Sequence, residues 1–128
     1  MLKQDVIRKK NDFSLLYKKG KSIGGKYVVL FFRSNNLTYN RKAILASKKV
    51  GNSVKRNRAR RLIKESYRTL EDSFLKGYDI VIIARNTISQ EGVKCKDVEK
   101  SIKHLMRKTG LYMPGAGESP HPEGAKTI

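Results

Sequence analysis

The segment from Tyr78 to Ala84 places the strongest constraint on the fold, because it is a nearly continuous apolar run. Only Asp79 interrupts it. Its length is that of a β-strand and is too short to cross a membrane, and its lack of polar alternation is typical of a central strand. The run therefore predicts a strand in the middle of a sheet, with other strands beside it and helices packed against it.

A long amphipathic helix is predicted before this strand, from about Ser53 to Phe74. The segment from Lys48 to Ser53 combines charges, a glycine and good capping residues, so the chain should turn there and start the helix near Ser53. Gly77 is expected to end the connection to the strand. Apolar or small residues at three- and four-residue spacing predict one buried face. They are Ala59, Leu62, Ile63, Ser66, Tyr67, Leu70 and Phe74.

A short helix is predicted near the start of the chain. Asn11 and Asp12 are possible N-caps, and Gly20 marks its end. Its apolar face would be formed by Phe13, Leu16 and Tyr17. Taken as a pattern alone, this face is that of an ordinary core stripe.

Two strands and a closing helix complete the prediction. Apolar runs cover Lys26 to Arg33 and Lys42 to Ser47, and the polar turn at Ser34 to Asn36 favours an antiparallel pair. Ser89 to Lys108 predicts a last helix, which Gly110 stops. The order αββαβα, in which a strand, a helix and a strand follow one another, predicts an α+β domain with a crossover in a mixed sheet and its helices on one face.

Charge narrows the class of partner. The 128 residues contain 29 Lys and Arg against 11 Asp and Glu, a net charge of +18 that calls for a polyanion. The chain has neither a long apolar span nor a terminal basic amphipathic helix, which excludes a membrane partner, and its polar start lacks the apolar segment of a signal peptide. Nucleic acid is the polyanion that remains best supported.

The remaining composition bounds the domain and its surroundings. We expect one domain over residues 1–113 and a disordered tail over 114–128, where Gly, Pro, Ser and Glu replace apolar residues. The single Cys95 can form no internal disulfide and has no Cys or His at metal-ligand spacing, which favours a cytoplasmic protein and no role for this thiol.

The positive charge is concentrated on the long helix and the turn before it. Eleven basic residues and one acid, Glu65, lie between Arg41 and Arg68. Helical geometry places Asn57, Arg61, Lys64 and Arg68 together, opposite the buried stripe. Charged helix faces usually mix both signs, whereas like charges at this spacing repel unless an anionic partner is present. The pattern predicts contact with RNA or another polyanion.

The segment from Lys48 to Glu65, with Arg56-Asn57-Arg58 at its centre, resembles the signature of the bacterial ribonuclease P protein family. The resemblance extends to Phe13, Tyr17 and Gly20, to the strand from Tyr78 to Arg85 and to the last helix, and it covers about residues 5 to 112. It implies a single-domain α-β sandwich with a left-handed βαβ crossover, an exception to the usual right-handed rule. It also implies a protein that assists an RNA catalyst in removing the 5′ leader of precursor tRNA.

Functional residues carry over position by position. The resemblance implies that the basic helix lies against ribonuclease P RNA, and the residues expected to bind this RNA subunit are Arg56, Asn57, Arg58, Arg60, Arg61, Lys64 and Arg68. It further implies a cleft that holds the leader, with Phe13, Tyr17, Lys48, Lys49 and Ala84 as its candidate residues. Tyr17 stands where many members of the family have Phe. Ala43 stands where Gly is common, which puts a close approach of another group to the backbone at Ala43 in doubt.

Catalysis is expected to lie outside this chain. We predict no catalytic or metal-binding residues, because His104 is surrounded by basic residues and the few acids are not clustered. Mg²⁺ is expected to be held mainly by the RNA subunit. No obligate protein partner is expected. A protein-only nuclease and a structural or ribosomal RNA-binding protein remain as alternatives. A DNA-binding helix fits poorly, since neither a helical DNA-binding motif nor a dimer pattern is present.

Overall fold

The computed structural model describes residues 6–113, which form one four-stranded sheet with three helices. Short 3-10 turns lie at Glu71–Ser73 and Asn86–Ser89. The predicted tail, 114–128, lies outside the described residues. The elements are α1 (Lys10–Lys19), β1 (Lys21–Gly24), β2 (Val28–Ser34), β3 (Arg41–Leu45), α2 (Ser53–Leu70), β4 (Tyr78–Ala84) and α3 (Cys95–Lys108).

The apolar strand β4 lies in the interior of the sheet, as predicted. The strand order is β1-β2-β4-β3, with β4 antiparallel to β2 and parallel to β3. Ile80, Val81 and Ile82 are fully buried. Helix α2 joins the parallel neighbours β3 and β4, so the α+β class and the crossover in a mixed sheet are confirmed.

The expected antiparallel pairing of the two strands before α2 is wrong, because β4 lies between β2 and β3. The two apolar faces of β4 are best covered in the centre of the sheet, which outweighs the proximity of β2 and β3 in sequence. Strand β1 was not predicted. Its four residues carry only one apolar side chain, Ile23, and they form a strand by pairing with β2.

The helices cover both faces of the sheet, which corrects the expectation of one covered face. Ile80 and Ile82 pack in the larger core, with α2 and α3. Val81 and Ile83 point to the other face, where they pack with Leu16 of α1. Successive strand residues face opposite sides, so a central strand without polar alternation needs cover on both.

The helix boundaries follow the prediction closely only for α2. It begins at Ser53, where the Asn52 side chain accepts a hydrogen bond from the Lys55 N–H at 3.0 Å. It ends at Leu70, and Phe74 follows the 3-10 turn but is buried as expected. Every member of the predicted stripe is buried except Leu62, which is half-buried.

The other two helices differ from the prediction at their starts. Helix α1 begins before the expected caps, so Asn11 and Asp12 lie in its first turn and make no cap. Helix α3 begins only at Cys95, because the chain from Ser89 first completes a 3-10 turn and a loop. Its first turn is closed by Asp97, whose carboxylate accepts from the Lys94 N–H at 2.9 Å.

Candidate nucleic-acid interface

The outer face of α2 carries the predicted basic residues. Arg56 and Arg60 are half-buried, and the other five candidates are exposed. Asn57, Arg61, Lys64 and Arg68 lie across the helix from the buried stripe, as the periodicity predicts, whereas Arg56 and Arg60 lie nearer to it. The exposed members are Asn57, Arg58, Arg61, Lys64 and Arg68.

Some of these side chains already have partners within the protein. Arg58 Nη2 donates to the Val93 carbonyl at 2.7 Å, which ties α2 to the loop before α3. Arg68 Nη2 lies 2.7 Å from Glu65 Oε2 on the same exposed face. That pairing raises the pKa of the Arg68 guanidinium through a hydrogen bond to Glu65, so this positive charge is partly compensated.

Arg56, Arg61 and Lys64 remain uncompensated. Within residues 6–113, no hydrogen bond or ion pair joins any of these three side chains to another protein group. Three unpaired cations on one helix are unfavourable unless an anion lies close to them. They therefore form the part of α2 best suited to phosphate, which Arg contacts with a planar pair of donors and Lys as a point charge.

The turn before α2 presents two further cations. Lys48 and Lys49 are exposed, while Val50 is buried and anchors the turn to the core. Gly51 has φ +142°, a conformation that side-chain-bearing residues rarely adopt, and leads directly into the Asn52 cap. The two lysines are thereby held at the N-terminal end of α2, where the helix dipole also favours anions.

A second candidate surface lies on the opposite face of the sheet, and we call Phe13, Tyr17 and Phe31 the aromatic cleft. The rings of Tyr17 and Phe31 meet edge to face with centroids 5.0 Å apart, and those of Phe13 and Tyr17 are 6.3 Å apart. Tyr17 is 42% exposed, and the other two are half-buried. The pattern alone suggested core packing for this stripe, but only Leu16 is fully buried.

The sheet side of the aromatic cleft was missed by the sequence analysis. Phe31, Leu45 and Ile83 come from three different strands and are half-buried on the α1 face. The alternation of side chains along each strand places these three residues on one face of the sheet. That alternation could identify the cleft only once α1 was known to pack on this face. Lys48 and Lys49 follow β3 shortly after Leu45, so the turn brings basic residues to the strand end that borders this face.

Ala84 is not brought together with the aromatic cleft. It is 5% exposed and packs in the larger core, on the side of the sheet that α2 and α3 cover. Along β4, Ala84 faces the same side of the sheet as Ile80 and Ile82, and Ile83 faces the other side. Its side chain therefore lies on the opposite face of the sheet from Phe13, Tyr17 and Phe31.

A half-buried group of ion pairs holds α1 on the sheet and so fixes the aromatic cleft. Arg41 donates to both oxygens of Asp79, from Nε at 2.8 Å and Nη2 at 2.6 Å, and its Nη1 lies 3.5 Å from the Asp12 carboxylate of α1. Asn35 Nδ2 also donates to Asp79 at 3.0 Å. The hydrogen bonds that Arg41 donates to Asp79 raise the pKa of Arg41, which stays charged. Asp79, the one polar residue of the apolar run, is thus a structural anchor.

Four acids of the described residues, Asp12, Glu65, Glu71 and Asp79, pair with cations. Asp12 and Asp79 face Arg41, and Glu71 lies 2.9 Å from the buried Lys42 Nζ. In the part of the chain that the structure describes, no three His, Cys, Asp or Glu residues are grouped closely enough to bind a metal. Over the same residues, no helix is both long and apolar enough to span a bilayer.

Comparison with known proteins identifies what the chain is similar to. The family model described as Ribonuclease P matches residues 1–110. A ribonuclease P protein component of Clostridium botulinum is 44% identical over 112 residues, which cover 87% of this chain and 99% of the relative. That of Clostridioides difficile is 47% identical over 106 residues, covering 82% of this chain and 91% of the relative.

Solved structures give the same result for the fold. A Staphylococcus aureus ribonuclease P protein mutant, described as defective in mRNA degradation activity, superposes with a TM-score of 0.77 at 30% identity, covering 86% of this chain and 92% of the other. The ribonuclease P protein from Thermotoga maritima gives a TM-score of 0.71 at 35% identity, covering 77% and 92%. Both the sequence and the arrangement of elements are therefore shared with these proteins.

Proposed function

This chain belongs to the ribonuclease P protein family, and we propose that it is the accessory protein subunit of ribonuclease P, the endonuclease that matures the 5′ end of tRNA. The observation that carries the proposal is the group of uncompensated cations on α2. Arg61 and Lys64 have no partner among the described residues, although they are neighbours on one face of α2, and Arg56 near the start of the helix has none either. An RNA backbone supplies the negative charge that this face lacks.

The α2 face would bind the catalytic RNA. Neutralising phosphates with Arg and Lys releases condensed counterions, which drives association at moderate salt. Arg58 and Arg68 contribute less freely because each already donates to a protein oxygen. We therefore rank Arg56, Arg61 and Lys64 above them as contacts, with Asn57 and Arg60 beside them.

The aromatic cleft would hold the 5′ leader of precursor tRNA. Tyr17 offers an exposed ring, and Phe31 and Phe13 support it. Stacking on such a ring tolerates any base, which suits leaders of varied sequence, and Lys48 and Lys49 would contact the backbone. Ala84 is withdrawn from this group because its side chain faces the core.

Chemistry at the scissile phosphate is assigned to the RNA. We propose that the reaction uses Mg²⁺ and that the RNA subunit holds it, since most acids of the described residues are engaged with Arg, Lys or backbone N–H groups. The protein would lower repulsion between catalytic RNA and precursor, so that these Mg²⁺ sites fill at lower concentration. It would act in the cytoplasm and need no obligate protein partner.

Cleavage of a precursor tRNA by a bacterial ribonuclease P RNA at low Mg²⁺, with and without this protein, tests the proposal. We expect strong stimulation, which the triple variant Arg56→Ala, Arg61→Ala, Lys64→Ala loses. A charge-matched control removes the exposed Lys76, Lys96 and Lys100 instead and should keep most of the stimulation. Tight RNA binding without stimulation would instead indicate a structural RNA-binding protein.

A further inference from the structure

A groove of about 630 Å³ lies between the edge strand β3 and the N-terminal half of α2. One of its walls is apolar and comes from three separate parts of the chain. Val6 pairs with β3 at Lys42, Ala43 and Ile44 belong to β3 itself, and Val54 is in the first turn of α2. Its volume is within the range of roughly 300–1,000 Å³ that small-ligand sites occupy.

Val54 is the feature that the fold does not explain. It is 74% exposed, more than the other large apolar residues that lie exposed in the described chain. It is not part of the buried stripe of α2, and its neighbours on the helix surface, Asn57, Arg58 and Arg61, are polar or charged. Its contribution to folding is therefore small, whereas a partner that covered it would gain apolar contact.

The other wall is cationic and carries one amide. Arg60, Arg61 and Lys64 line it, and no acid does. Arg60 donates from Nη2 to the Asn57 Oδ1 atom. A guanidinium can only donate, so this bond turns the Asn57 NH₂ group away from Arg60 and leaves it as a donor for a ligand.

Apolar surface, an amide donor and unpaired cations within one groove match the parts of a nucleotide. We propose that this groove takes a single unstacked nucleobase of the RNA bound by α2, and this inference rests on the proposed function. The base contacts Val54 and Ile44, Asn57 donates to an acceptor on the base edge, and Arg61 and Lys64 contact the flanking phosphates. Lys42 also lines the groove, but its charge is compensated by Glu71 at 2.9 Å.

The test removes the apolar contact without changing charge. Val54→Ser should weaken binding of the catalytic RNA about fivefold to tenfold, the effect of losing roughly one or two buried methyl groups. The dependence of affinity on salt should stay unchanged, because no phosphate contact is lost. The folded state should be unaffected, since Val54 is exposed and Ser and Val have similar helix propensity. Leu37→Ala, at a 38% exposed residue of the turn between β2 and β3, is the matched control.

Chemical probing of the RNA provides the second readout. One unpaired nucleotide should be protected at its base edge by the unchanged protein and by Leu37→Ala, and should react again with Val54→Ser. Unchanged affinity and unchanged protection in Val54→Ser would overturn the proposal. If Arg61→Ala still weakened binding in the same experiment, the proposed function would stand and only the base site would be lost.

Discussion

Replacing Tyr17 by Ala tests the aromatic cleft with little damage to the fold. A base stacked on an aromatic ring contributes roughly 1–3 kcal/mol, so its loss should weaken binding about fivefold to 150-fold. The cost in stability is smaller. The edge-to-face contact with Phe31, at 5.0 Å, is an aromatic pair of the kind that contributes about 0.5–1.5 kcal/mol beyond burial, and the ring is already 42% exposed. A domain of ordinary stability, about 5–15 kcal/mol, stays folded after such a loss.

The measurement compares two ligands of the reconstituted RNA–protein complex. Dissociation constants are determined for precursor tRNA with its leader and for mature tRNA, with unchanged protein and with Tyr17→Ala. We expect the loss only for the precursor. Tyr17→Phe should bind like the unchanged protein, since the ring is kept. Partial burial raises the pKa of the Tyr17 phenol, so it stays neutral at ordinary assay pH and the result should not depend on pH between 6 and 8 or so.

Two outcomes would refute this reasoning. An equal loss for precursor and mature tRNA would mean that Tyr17 supports the fold or the RNA-subunit interface and does not touch the leader. An equal loss for Tyr17→Phe and Tyr17→Ala would mean that the hydroxyl, and not the stacked ring, makes the contact.

The remaining predictions concern charge. Arg61→Ala should reduce the dependence of RNA-subunit affinity on salt concentration by about one phosphate contact. Arg68→Ala should reduce this dependence less, because Glu65 already compensates that charge. Equal salt dependence for both variants in a salt titration would contradict this ranking. Asp79→Ala should destabilise the fold by about 1–3 kcal/mol in urea unfolding, because it leaves the half-buried Arg41 without its main partner. The pKa of Arg41 is raised from an already high value, so its positive charge persists through neutral pH and its contribution to stability is lost as the pH rises into strong alkali. A cost in stability near zero for Asp79→Ala would show that water replaces the pair.

Several parts of the molecule follow from local sequence alone. The stripe of α2 is set by three- and four-residue spacing, and its start by a capping Asn52 whose hydrogen bond is local. The central place of β4 follows from an apolar run that must be covered on both sides. The exposed basic face of α2 follows from the same periodicity, since charged groups opposite a buried stripe remain in water.

Pairing between distant segments was decided only by the tertiary structure. Which strand lies beside β4 depends on total burial across the sheet and not on proximity in sequence, so β2 and β3 were paired wrongly. The same holds for α1, which covers the face that Val81 and Ile83 present. Local spacing cannot reveal on which side of a sheet a helix packs.

The candidate surfaces divide in the same way. The resemblance to the family indicated the basic residues and the aromatic pair, but the fold tied Arg58 to the Val93 carbonyl, added Phe31, and placed Ala84 in the core. The groove at Val54 is formed by Val6, β3 and α2, which are distant in sequence. Composition and periodicity determined that this chain displays positive charge on one helix, where local spacing also brings Glu65 beside Arg68. Only the packing of distant segments determined that Arg58 is tied to the Val93 carbonyl and which apolar atoms lie beside the free cations, because chain spacing does not specify those contacts.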